Sequence, residues 1–118
     1  MEPTTFENVG DVIDTRALTL DGDRKVEVRI GRPERLSDSE EWCCRQQIIG
    51  IGSERVKQIT GGDSVQALLL ALLMVGAQLY CSEEYEAGRL TWDWDPNNDL
   101  GFPVPSNIRD VLPPNSTL

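Results

Sequence analysis

Apolar positions along this chain follow two periods, and the switch between them comes at a pair of glycines, Gly61-Gly62. Before that pair they recur every second residue, the spacing of a half-buried strand. Residues 25–30 show it most cleanly, with Val26, Val28 and Ile30 on one side and Lys25, Glu27 and Arg29 on the other. Residues 12–20 carry a weaker form, with Leu18 and Leu20 set against Ala17 and Thr19. Asp21-Gly22-Asp23 lies between these runs and supplies a residue able to take positive φ, which predicts a hairpin. Residues 33–41 are polar and acidic and read as a loop. Residues 42–51 resume the extended pattern with two phases open: Trp42, Cys44, Gln46 and Ile48 share one face, and Cys43, Arg45, Gln47 and Ile49 the other. The adjacent Ile48 and Ile49 suggest a twist or bulge, and Gly50 and Gly52 a tight turn. A short fourth strand is predicted over residues 54–60.

After the glycines the period lengthens to that of a helix, predicted from residue 63 to about residue 82. Asp63 or Ser64 can cap its first turn by accepting from an orphan amide. Residues 67–77 form a run of 11 without a polar side chain. On a helical projection Val65, Leu68, Leu72, Val75 and Leu79 share one face, widened by Leu69, Leu73 and Tyr80. Ala67, Ala71 and Gln78 form the smallest arc, the one expected to meet solvent or a partner. The apolar run falls well short of the roughly 20 residues that a bilayer requires, so a core helix is expected and no membrane span. Beyond it, Glu83, Glu84 and Glu86 would oppose the dipole at the helix C-terminus, which predicts that the helix stops before them or that something else holds them. Residues 90–95 alternate again, with Leu90, Trp92 and Trp94 opposite Thr91, Asp93 and Asp95. The pattern as a whole defines an α+β fold: two layers, a mostly antiparallel four- to five-stranded sheet packed against one long buried helix. The chain reads as a single domain with its folded core over 12–103 and loosely packed ends at 1–11 and 104–118.

Charge narrows the choice of partner. The 118 residues carry 20 acids against 11 bases, a net charge of −9. Two thirds of that excess falls after residue 59, where there are eight acids and only Arg89 and Arg109. Nucleic acid is thereby disfavoured as a direct ligand, because phosphate binding draws on Lys and Arg. A basic protein partner fits the balance, as does a surface tuned for solubility. The first seven residues, with two glutamates and a proline, do not resemble a secretory signal, and three cysteines do not form a disulfide framework. A cytoplasmic location is therefore expected.

Three stretches carry a resemblance: Trp42-Cys43-Cys44, the run from Gly61 through Asp63, Ser64, Gln66, Ala67 and Leu68 to Leu70-Ala71-Leu72, and Asp99-Leu100-Gly101-Phe102-Pro103. Across residues 12–103 the sequence resembles a family of short bacterial proteins grouped as a domain of unknown function. The resemblance implies a small α+β fold and no activity.

Histidine is absent from the chain, which excludes Ser-His and Cys-His nucleophile pairs and every His-ligated metal site. Gly50-Ile51-Gly52-Ser53 and Gly61-Gly62-Asp63 lack the Lys-Ser/Thr ending of a phosphate loop. Asp93, Asp95 and Asp99 lack the glycine and distal glutamate of a calcium loop and read as a solvated face. Arg45 beside Cys43 and Cys44 could depress a thiol pKa, but neither cysteine has a candidate base, and buried structural thiols are the commoner case. The expectation is therefore no catalytic residue, no metal and no cofactor. Two candidate constellations remain. Glu83, Glu84, Glu86, Trp92, Asp93 and Asp95 resemble a protein-binding hot spot, acidic groups beside tryptophans, suited to an immunity-type or other inhibitor of a basic protein. Asp63, Ser64 and Gln66 gather at the helix N-terminus, either as structural ties or as a cleft for a small molecule or an enzymatic reaction. A homodimer through the Ala67/Ala71 arc or an open sheet edge is a further expectation.

Overall fold

The computed structural model describes residues 8–95, 97–116 and 118. Strand β1 (Val12–Leu20) and β2 (Arg24–Gly31) form the expected hairpin, with Leu20 opposite Arg24 and both Asp21 and Gly22 at positive φ. Val26, Val28 and Ile30 are buried, as their alternation requires. Two residues of the expected loop pair as a short strand, β3 (Glu34–Arg35). The central strand is β4 (Trp42–Ile49), flanked by β5 (Lys57–Gly61) on one edge and by β2 and then β3 on the other. Of the two phases open for β4, Cys44, Gln46 and Ile48 face the main core. No bulge separates Ile48 from Ile49: they pair in unbroken register with Val28 and Glu27. The irregularity lies instead in β1, between Val12 and Asp14. Helix α1 (Ser64–Tyr80) follows, then the single turn α2 (Glu83–Glu86), the short strand β6 (Leu90–Thr91) beside β1, and a 3-10 segment (Ser106–Val111). All named pairings are antiparallel, so the molecule is an α+β fold with an open sheet and one main helix.

The helix is rotated about its axis from the orientation its apolar count suggests. Leu68, Leu72, Val75 and Leu79 of the expected face meet the core, but the buried arc extends to the alanines and leaves out the start of that face. Ala67 and Ala71, expected outside, are fully buried against β4 and β5, whereas Val65 and Leu69 are 63% and 54% exposed. Short side chains let the helix axis come close to the sheet, and that closeness is enforced on both partners. A Cβ on Gly61 of β5 would lie 2.6 Å from the Ala67 amide nitrogen. Leucines on that face would hold the layers apart. On the far side of the helix, Gly76 leaves room for the Pro103 carbonyl, on which any Cβ would fall. Residues 102–104 thus cross the C-terminal half of α1, burying Gly76 and contributing Phe102 and Val104 to the core. The packed chain runs beyond 12–103 at both ends: Val9 is buried against Gly31, and Ile108, Val111 and Leu112 cover the core.

The cysteines are all free; Cys43 and Cys44 are buried and Cys81 is exposed. Burial, with Cys43 beside it, pushes the Cys44 thiol up to about 11, and its Sγ donates to the Gly31 carbonyl at 3.3 Å. Cys44 therefore has the reverse of the acidic thiol that nucleophilic chemistry uses. A chromogenic disulfide reagent at neutral pH is expected to titrate one thiol rapidly in the native protein and three after denaturation. Fast reaction of more than one thiol in the native protein would show that the β4 pair is accessible.

Candidate functional site

At the start of α1, local chemistry satisfies the exposed backbone. Asp63 is extended (φ −150°) and its Oδ1 accepts from the Gln66 amide at 2.8 Å. Gln66 folds back, its Oε1 accepting from the Gly62 amide at 2.7 Å. The two side chains cap the helix reciprocally, a variant of the capping box. Ser64 opens the helix as a half-buried residue.

The acidic run begins a new helix instead of ending the old one. Cys81 closes α1, and the Ser82 hydroxyl accepts from the Tyr85 amide at 3.1 Å, placing Glu83, Glu84 and Glu86 in the first turn of α2. Carboxylates there are favourable to the dipole that they would have opposed in α1. The turn divides them. Glu84 lines a cleft of about 150 Å³ with Arg55, Lys57, Gln78 and Ser82. Glu86 lines a different one, of about 390 Å³, with Tyr85, Asn98 and Val111.

The alternation expected over 90–95 breaks after Thr91. The chain reverses through Trp92–Asp95, closed by the Asp95 amide donating to the Trp92 carbonyl at 3.0 Å. Asp93 accepts from the Thr19 hydroxyl at 3.1 Å, and Asp95 accepts from the Asn97 amide at 2.8 Å. Trp92 is half-buried, but Trp94 sits on the turn with 81% of its surface exposed. Both tryptophans were expected on the side of Leu90; the turn separates them.

Beneath this turn lies a network that the periodicity did not reveal. The Arg16 guanidinium carbon is 4.1 Å from the Trp92 ring centre and 4.7 Å from that of Phe102. Its Nη1 donates to the carbonyls of Leu100 and Gly101 at 3.0 and 2.7 Å. Next to it, the Tyr80 hydroxyl donates to Asp99 Oδ1 at 2.7 Å and accepts from the Leu100 amide at 2.9 Å. The same Oδ1 accepts from the Gly101 amide at 2.8 Å. The run from Asp99 to Pro103 is therefore a structural lock that holds the crossing segment on α1. One signal for it was present: Arg16 shares its strand phase with Leu18 and Leu20, so a cation occupied a core position and needed acceptors. Nothing in the spacing links Asp99 to Tyr80.

Burial would push the Asp99 carboxyl up, but the Tyr80 hydroxyl, the Gly101 amide and the Ser116 hydroxyl bring it below its ordinary value. A depressed carboxyl contributes stability that is present above the ordinary carboxylate range, near pH 4, and lost as pH falls through the folded value. Urea midpoints are expected to fall as pH is lowered from about 4 to about 2. Tyr80→Phe should make that acid slope shallower, because Asp99 loses a donor; an identical slope would show that the pair does not set it. Among the described residues no three His, Cys, Asp or Glu side chains gather to hold a metal ion. Asp93, Asp95 and Asp99 bond to separate partners. Among the described residues no helix is long and apolar enough to cross a membrane.

The fold and this turn define a small α+β domain with an exposed aromatic on a supported loop. The family model for a domain of unknown function (DUF6968) matches residues 14–104, and the chain belongs to that family. Comparison with curated proteins and with solved structures returned no match.

Proposed function

We propose that this chain is a non-enzymatic recognition domain of the cytoplasm that binds a basic protein partner through the turn over residues 92–95. The observation that carries this reading is Trp94, a large aromatic 81% exposed between Asp93 and Asp95. Tryptophan anchors concentrate binding energy in protein interfaces, and flanking carboxylates select a basic counterpart. The support under the turn, from Arg16 stacked on both the Trp92 and the Phe102 rings, limits the ordering cost of engaging a partner. Glu83, Glu84 and Glu86 add to the negative field that steers the encounter. Occluding a basic surface in this way is the mode of an immunity-type inhibitor.

The test is quantitative capture of interacting proteins from a cell extract with the wild-type chain and with Trp94→Ala. A stoichiometric basic protein is expected on the wild type, with affinity reduced at least about 30-fold in the variant. Its association rate should fall as salt rises. A partner held equally by both proteins, or no partner at all, would overturn the reading.

A further inference from the structure

We infer that two copies of this chain associate through the free edge of β5, forming one continuous sheet with their α1 helices side by side. Four observations converge on a second copy as the occupant. First, β5 pairs with β4 on one edge only, and among the described residues no backbone hydrogen bond reaches its other edge. It has five residues, no proline and a single charge, Lys57, and so lacks most of the devices that keep strand edges apart.

Second, the helix sits at the right distance. α1 lies over β4 and β5 alike. With strands about 4.8 Å apart, β5-to-β5 pairing places each helix about 5 Å from the two-fold axis and the two axes about 10 Å apart. Helices in contact pack at about 8–10 Å. A partner of another shape would have no reason to match that spacing.

Third, the flank that the pairing would bring together is apolar. Ala67 and Ala71 face the sheet, and Leu68 and Leu72 turn toward the core. Helical geometry then puts Leu70 and Ala77 on the opposite flank, above the β5 edge, with Met74 nearer the sheet and Leu73 at the outer rim. No Asp, Glu, Lys or Arg occurs from residue 64 to residue 82, although the chain carries −9. Self-association is thus free of charge repulsion at this surface.

Fourth, a two-fold centred on Ile59 is complementary in charge. It sets Lys57 opposite Gly61 and, beyond the strand, Arg55 opposite Asp63 of the other copy. The turn bearing Trp94 follows β6, at the opposite edge of the sheet, so the dimer would present two such turns at its far ends.

Sedimentation velocity at about 50 μM is expected to give twice the chain mass of 13.2 kDa, declining toward one chain on dilution. Hydrogen exchange should show protection of the outward amides of residues 57–61 rising with concentration. Leu70→Glu with Leu73→Glu should raise the dissociation constant at least about 100-fold, as burying two charges per copy in an apolar contact would. Arg55→Glu, at an exposed position, should raise it about tenfold by facing Asp63 with a like charge. Trp94→Ala should leave it unchanged, which separates this inference from the recognition reading. A single-chain mass at about 200 μM would overturn the inference. So would a dimer indifferent to both sets of substitutions, or one whose residues 57–61 exchange as fast as in the monomer.

Discussion

Replacing Tyr80 by alanine is expected to remove about 3–5 kcal/mol of folding stability, the range for losing a buried aromatic side chain. Three kinds of contact are lost together. The ring is almost fully buried, and it meets Tyr85 edge to face, with centres 4.9 Å apart and planes at 83°. The hydroxyl, in a single position, serves the Asp99 carboxylate and the Leu100 amide. Its loss leaves a buried acceptor and a buried donor short of a partner, the costly half of hydrogen-bond energetics. Tyr80→Phe isolates that part and should cost about 1–3 kcal/mol. Urea denaturation followed by far-ultraviolet circular dichroism measures both. A cost below about 1 kcal/mol for Tyr80→Ala would mean that the crossing segment is not locked to the helix as described.

Placing the same charge at two positions two residues apart on α1 should produce very different losses. Ala71→Glu puts a carboxylate against β4 and β5 with no partner and no room, and is expected to cost about 3–5 kcal/mol. Leu69→Glu exchanges an exposed leucine for an exposed carboxylate and should stay within about 0.5–1 kcal/mol. The comparison belongs at about 1 μM, where self-association contributes least. Hydrophobicity alone predicts the reverse order, because it assigns leucine to the core and alanine to the surface. Equal losses at the two sites, or a larger one at Leu69, would refute the orientation of the helix.

The elements were legible in the sequence where local chemistry decides them. Period-two runs separated by Asp21 and Gly22 specify a hairpin whatever surrounds them, and the cap formed by Asp63 and Gln66 involves residues within one turn. Of the candidate site, the two carboxylates beside a tryptophan could be read directly, because they are neighbours in the chain. That Trp94 is the exposed member of the pair could not be read. Continued alternation and a turn after Thr91 share one pattern, and the choice rests on Arg16, some 75 residues away, taking Trp92 as its platform.

By itself, then, the sequence determined the first hairpin, the main helix with its N-terminal cap, the charge balance and the absence of histidine chemistry. Tertiary structure alone decided how α1 is rotated about its axis, bringing Ala67 and Ala71 onto the sheet, and which tryptophan meets solvent. The reason is physical. Periodicity records which residues lie on a common face, but burial goes to the face that allows the closest approach, and closeness depends on the partner's own small residues, here Gly61 beneath Ala67 and Pro103 above Gly76.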